Sequence, residues 1–400
     1  MWAGAENQGN FLGRISIRRN QVASMEPDTH VEDLDQFHKL ISDKFSPLLT
    51  DYPHHHDHDG DATPSAAGDA FLSAAWVRKL LDAFVSCEAE FRAVLLNGRD
   101  LTQIVKPPLD RWIPDLFDRV VKALDVCNAV THGVEAIRFM LHQAQIVASA
   151  LEQRPFTEGQ IRRARRALAA VLSSIVVDER DGGGKTTERS WSFGRRGGGA
   201  SSKERHHAPN FRSLSWSVAK NWSAAKQIQA ISSNLYTPRG GECSLAQSVY
   251  IMGMVLVFVM WAMVACIPCQ DRAGLGTHVP VPKNLGWAQS INVLQEKIGE
   301  EWKKKEKKGS SGLMDEVVKV EKLAQSLTEL TDNFHYPMEE DKEAEMAAKA
   351  AKLAEVCRRM EDGLGPLQRQ VREVFNRLVK GRADVLEVFD HAIKHCNPSV

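Results

Sequence analysis

Val249–Ile267 reads VYIMGMVLVFVMWAMVACI, and it lies in a segment with no charged side chain between Glu242 and Asp271. No other part of the 400-residue chain resembles it. As an α-helix it would rise about 29 Å, close to the thickness of a bilayer's hydrocarbon core. Nine of its residues are Val, Ile, Leu or Phe, which together favour insertion by roughly 3 to 5 kcal/mol. A helix apolar all round also suits the centre of a large helical bundle. The segment therefore spans a membrane, dips into one, or fills a core. In each case Val249, Ile251, Val255, Leu256, Val257, Phe258, Val259, Trp261, Val264 and Ile267 form its apolar surface. Arg239 flanks one end and Arg272 and Lys283 the other, so charge asymmetry gives no orientation.

Two cysteines close the run. Cys266-Ile267-Pro268-Cys269 has a Cys-x-x-Cys spacing, but a zinc site needs a second ligand pair and a thioredoxin-like site needs a βαβ context. Cys266 and Cys269 are candidates for S-acylation at a membrane boundary, with simple packing as the alternative.

The bulk composition restricts what surrounds this segment. There are 51 basic and 51 acidic residues, so no global field draws the chain toward nucleic acid. Hydrophobic residues make up 43% and aromatic residues only 7%, which supplies a core while arguing against a β-sandwich or barrel. Seven scattered cysteines form no disulfide framework and point to a reducing compartment.

Upstream, residues 1–28 read as a disordered tail without a secretory h-region. Its island of Arg14, Arg18 and Arg19 among Phe11, Leu12, Ile15 and Ile17 is compatible with a weak lipid contact. Thr29 to Glu32 has capping-box form, and Val31, Leu34, Phe37, Ile41, Phe45 and Leu48 make one helical stripe. His54, His55, His56 and His58 alternate with Asp57 and Asp59 in a linker rich in Pro, Gly and Ala. Such a cluster has metal-ligand chemistry, yet no flanking element fixes it, and a solvated linker is the simpler reading.

A helix is predicted from Ala70 to Asn97, stopped by Gly98, and another from Arg111 to Gln153 after the Pro107-Pro108 corner, with Pro114 tolerated in its first turn. Thr157 to Gln160 repeats the capping-box pattern, opening a helix whose stripe is Ile161, Ala164, Leu168, Val171 and Ile175. Arg162, Arg163, Arg165 and Arg166 crowd its first turns, the unfavourable end for positive charge. They fit a solvated face, an acidic partner or lipid headgroups.

The helical region 29–177 gives way to a Gly/Ser-rich linker at 178–212 that is too polar to order itself. Gly182 to Thr186 ends in Gly-Lys-Thr, but no strand precedes it and the upstream glycine is missing, so it is not a phosphate loop. From Glu158 to Arg239 there are 15 Lys and Arg against 6 Asp and Glu, a local basic excess ahead of the apolar run. An amphipathic helix is predicted within 213–243, and the apolar helix occupies 244–270.

In 271–400, stripes recur from Trp287 to Trp302, from Leu313 to Leu330, and through Leu353 and Met360. A break is expected at Gly365-Pro366, after which Leu367, Val371, Val374 and Leu378 resume the pattern toward Phe389 and Ile393. The fold class expected is all-α: an elongated helical bundle with one long apolar helix, single-pass or buried, and disordered linkers. No catalytic, cofactor or metal residues are expected, because no spacing that such chemistry requires is present.

Several stretches together resemble the plant Roh/BYPASS-like family. They are Gly98 to Asp100 with Lys106 to Arg111, Val121 to Ala129, Ser215 to Val218 with Trp222 to Ala225, Phe258 to Asp271, and Arg369 to Phe375. Phe11 to Glu26 favours the Roh branch, whose members interact with an exocyst subunit. The resemblance implies a non-enzymatic adaptor or regulator, without nucleic-acid or small-molecule partners, at the cytoplasmic face of the plasma membrane or an endomembrane. It would act in exocytosis and in cell-wall or mucilage secretion. A BYPASS-type developmental signalling regulator without exocyst binding is the alternative, and a membrane-bound enzyme whose site assembles only in the fold is the second.

Overall fold

The structure is a computed structural model that describes residues 29–50, 70–96, 104–175, 222–233, 243–269, 285–306 and 312–396. To these it adds positions 235, 237, 238, 272, 274–276, 279 and 281–283. The described residues contain helices and no strand. The histidine linker, the Gly-Lys-Thr stretch, Gly98, Val218 and the N-terminal basic island lie outside them.

Among the described residues ten helices follow in order: α1 Thr29–Phe45, α2 Pro47–Thr50, α3 Ala74–Leu96, α4 Leu109–Ala150, α5 Glu158–Ile175, α6 Ala224–Ser232, α7 Ser244–Cys266, α8 Gln289–Glu306, α9 Asp315–Asp332 and α10 Glu340–Cys396. A 3-10 turn, Gly286–Ala288, leads into α8. Two of these are long rods, α4 at about 63 Å and α10 at about 85 Å from the 1.5 Å rise per residue. They pack on each other and run through two bundles that share them. In one bundle α7 lies among α1, α3, α4, α6 and α8, with α10 covering α3 and α4. In the other, α5 and α9 close a four-helix group with α4 and α10.

The predicted stripes become the core. Phe37, Ile41, Phe45 and Leu48 are buried in α1 and α2, Trp76, Leu80 and Phe84 in α3, and Ile161, Ala164 and Leu168 in α5. Phe45 meets Phe258 edge-on at 5.9 Å, which ties the α1 stripe to the apolar helix. At the start of α5, Gln160 Oε1 accepts from the Thr157 N–H at 2.8 Å while the Thr157 hydroxyl accepts from the Gln160 N–H at 3.3 Å. This is the reciprocal capping box that the sequence predicts there.

The amphipathic helix expected within 213–243 is α6, opened by Ser223, whose hydroxyl accepts from the Lys226 N–H. Three expectations are corrected. Pro114 falls in the second turn of α4, because the helix begins at Leu109. The break at Gly365-Pro366 does not occur: α10 continues through Pro366 for 57 residues. Proline removes one helical donor and crowds the preceding turn. Here Leu364 and Leu367, on either side, are both buried, and their packing holds the helix through the defect. Finally, Ile393 does not join the buried stripe but is 41% exposed.

Candidate functional site

The residues singled out in the apolar run all occupy α7, and every residue of that helix except Gln247 is buried. Its surface is apolar on every side, and every side has a partner. Phe45 faces Phe258, the Trp261 indole N–H donates to the Gly276 carbonyl at 2.7 Å, and Ile267 with Pro268 presses onto Gly133 of α4.

The C-terminal end of α7 is clasped from far along the chain. The last carbonyls of a helix lack intrahelical donors. Those of Ala265 and Cys266 accept the backbone N–H groups of Leu313 and Met314, each at 3.0 Å. The same clasp extends to α3, because the Asp315 N–H donates to the Leu72 carbonyl and both Glu316 carboxylate oxygens accept from the Ala74 N–H at 3.1 and 3.2 Å. Burial pushes the Glu316 carboxyl up, with the hydrogen bonds from the backbone pulling the other way.

Cys266 and Cys269 are both buried. Burial pushes the Cys269 thiol up to about 12 and holds that of Cys266 still higher, against the pull of Arg272. A protonated, covered thiol is a poor nucleophile. Acylation of either one therefore requires this end of α7 to leave the core first.

The arginines of α5 divide. Arg162 pairs with Glu158 at 2.7 Å, and Arg165 donates to the Thr331 carbonyl and lies 3.4 Å from Asp332. Positive charge at the unfavourable end of α5 is thus placed at the favourable end of α9, where the last carbonyls attract it. Arg163 and Arg166 remain exposed. No group of three or more His, Cys, Asp or Glu residues able to hold a metal occurs among the described residues.

One feature escapes a reading by motif. A cavity of about 40 Å3 lies where α3, α4, α7 and α10 meet, walled by Phe91, Leu116, Phe117, Met252, Leu256 and Leu378 among others. Glu88, Arg92 and Arg382 also line it. Glu88 is 5% exposed and its Oε2 has no hydrogen-bond partner among the described residues. Desolvation pushes its carboxyl up, while Arg92, Arg377 and Lys380 pull down and Asp384 adds to the rise. The signal was present in the spacing, since Phe84, Glu88, Phe91 and Leu95 share one face of α3 and that face is otherwise apolar.

A family model described as Protein ROH1-like matches residues 3–389. The chain is 50% identical over 410 residues to Protein ROH1A of Arabidopsis thaliana, with 99% of each chain covered. It is 43% identical over 398 residues to Protein ROH1D of the same plant, covering 93% of this chain and 94% of that one. No solved structure matches.

Proposed function

The chain belongs to the ROH1-like family, and from that premise we propose that it is a non-enzymatic helical adaptor. It binds an exocyst subunit at the cytoplasmic face of a plant plasma membrane or endomembrane, in the service of exocytosis and of cell-wall or mucilage secretion. The observation that carries the reading is the extent of the family match, which runs from residue 3 to residue 389 and so takes in both bundles. The two rods favour an adaptor, because α4 and α10 present long helical faces held rigid by shared packing.

In this reading α7 is the core of the first bundle and the membrane is met from outside. Three observations support that choice. The helix is long and apolar enough to span, but it is covered along its whole length. Its last carbonyls are paired with backbone donors of Leu313 and Met314 rather than left for lipid headgroups or water. Withdrawing it would also strip α1, α3, α4, α6 and α8 of the surface they bury.

The test uses the full-length chain as bait against each purified exocyst subunit, together with carbonate extraction of plant membranes. Direct capture of one subunit is expected, with release of the chain into the carbonate supernatant. If no subunit binds, the adaptor reading fails and the developmental-signalling alternative stands. Retention in the membrane pellet overturns the core reading of α7.

A further inference from the structure

We propose that the outward face of α5, where Arg162, Arg163 and Arg166 stand together, is the surface this protein lays on an anionic lipid leaflet, its guanidinium groups taking the phosphates and carboxylates of the headgroups. The proposal rests on the reading that the membrane is met from outside, and it names the face that meets it.

The helix itself puts these arginines side by side. Residues three and four apart are neighbours on a helix surface, so Arg162 and Arg163 both adjoin Arg166. All three are exposed, while Ile161, Ala164, Leu168 and Val171 on the opposite side are buried where α5 packs on α4 and α9. The loop before α5 adds Arg154, also exposed. Its neighbour Gln153 accepts from the Gln160 side chain on its carbonyl at 3.3 Å, which holds the loop against the first turn.

This arrangement costs stability, and the fold offsets only part of the cost. Like charges four apart repel, and positive charge opposes the dipole at a helix N-terminus. Arg165 is compensated by the Thr331 carbonyl and Asp332. Arg162 has Glu158, but the two side chains are 64% and 80% exposed, so the pair is weak and open to exchange for another anion. Arg163 and Arg166 have neither a hydrogen bond nor an ion pair among the described residues. A local rule broken without compensation inside the fold is the mark of a functional surface.

The rest of the face selects a leaflet over a protein. Besides Glu158 and the arginines it carries Gly159, Ala169, Ala170 and Ser173. A protein interface sets its charged anchors in a desolvated apolar core, and this face offers no apolar side chain larger than alanine to build one. A leaflet demands none, because each basic residue near an anionic surface strengthens partitioning by roughly fivefold. The apolar helix α7 is covered, so lipid contact falls to an outer surface such as this.

The experiment floats the full chain with vesicles of phosphatidylcholine alone or with about 30% phosphatidylserine, at about 0.1 M and 0.5 M salt, since exposed charges are screened as salt rises. Wild type is expected to bind the phosphatidylserine vesicles only, and to leave them at the higher salt. Arg163→Ala with Arg166→Ala should weaken binding at least tenfold, and the paired lysine substitutions should restore most of it. Lys39→Ala with Lys303→Ala removes the same charge from exposed sites of the other bundle and should change binding less than threefold. Equal losses in the two alanine pairs, or none in the α5 pair, overturn the proposal and leave the membrane reading standing. Absence of wild-type binding overturns both, whereas the adaptor reading is still decided by capture of an exocyst subunit. An α5 alanine pair that keeps its vesicle binding but loses that capture assigns the face to an acidic protein instead, and also overturns the proposal.

Discussion

Gly133 of α4 stands so close to Pro268 that a Cβ on it would lie 2.2 Å from the Pro268 carbonyl oxygen and 2.7 Å from the Ile267 side chain. The nearest atom is backbone and cannot swing away. Alanine would gain roughly 1 kcal/mol of helix propensity here, but overpacking of this kind costs about 1–3 kcal/mol or more. Gly133→Ala is therefore expected to lower the urea midpoint of the full chain. At exposed Gly159, where only the Thr157 hydroxyl comes within 4.0 Å, the same change should leave it level or raise it.

Glu316 joins α9 to the start of α3 by accepting the Ala74 N–H on both carboxylate oxygens. Removing the acceptor leaves a buried donor at a helix N-terminus. Glu316→Ala should destabilise by about 1–2 kcal/mol, as loss of a helix cap does, whereas Glu316→Gln keeps an acceptor and should lose less. Hydrogen exchange at the Ala74 amide supplies the local check: faster exchange in the alanine variant with near-native exchange in the glutamine variant is expected.

Lys305 donates to the Gly312 carbonyl at 3.0 Å and faces Glu321 at 3.9 Å. Burial pulls its ammonium down from 10.5 to about 8, with Lys322 and Arg272 adding to the fall and Glu321 and Glu301 opposing it. Between about pH 8 and pH 10.5 the unfolded chain holds a proton that the folded chain has released. Stability should accordingly rise with pH across that window. The difference between wild type and Lys305→Gln, followed by urea unfolding from pH 7 to pH 10.5, isolates this contribution. A flat difference would show that Lys305 keeps an ordinary affinity for its proton.

The all-α class, the stripes of α1, α3, α5, α8 and α9, and the Thr157 to Gln160 cap were legible because each rests on residues three or four apart. Contacts that join distant segments were not. Nothing in the α4 sequence marks Gly133 as the place where Ile267 and Pro268, just past the end of α7, press against that helix. Nothing near Leu313 or Met314 in sequence marks their N–H groups as partners of Ala265 and Cys266. Glu88 was half legible: its spacing placed it on an apolar face, but only the fold brings Arg382 and Gly381 across from it. The solvent of α7 could not be read either, since a spanning helix and a helix covered on all sides share one composition.

Cysteine accessibility tests the covering of α7 without a membrane. Cys243 at its N-cap is exposed, whereas Cys266 and Cys269 at its other end, and Cys127 on α4, are buried. In a Cys396→Ser background, a maleimide applied to the native chain at pH 7.5 should label Cys243 rapidly. The buried thiols should react only at the rate of opening, because both access and thiolate formation are suppressed. Cys266 and Cys269 labelling as fast as Cys243 would show that this end of α7 leaves the bundle readily.

Pro366 is the sharpest disagreement between local rule and fold, and substitution turns it into a measurement. In the interior of a helix, proline removes the donor to the carbonyl four residues back and costs about 3 kcal/mol relative to alanine. The carbonyl affected is that of Asp362. Its neighbour Gly363 lies beside the start of α3, where a Cβ on it would stand 3.2 Å from the Ala74 methyl. If α10 is continuous because Leu364 and Leu367 hold it there, Pro366→Ala should restore the missing bond and raise the thermal midpoint. The far-UV circular dichroism should stay unchanged, since no new helix forms. If the proline instead sets a bend that the α3 contact requires, alanine would straighten the rod and the midpoint would fall. The packing of Leu364 and Leu367, at 1% and 0% exposure, leads us to expect the rise.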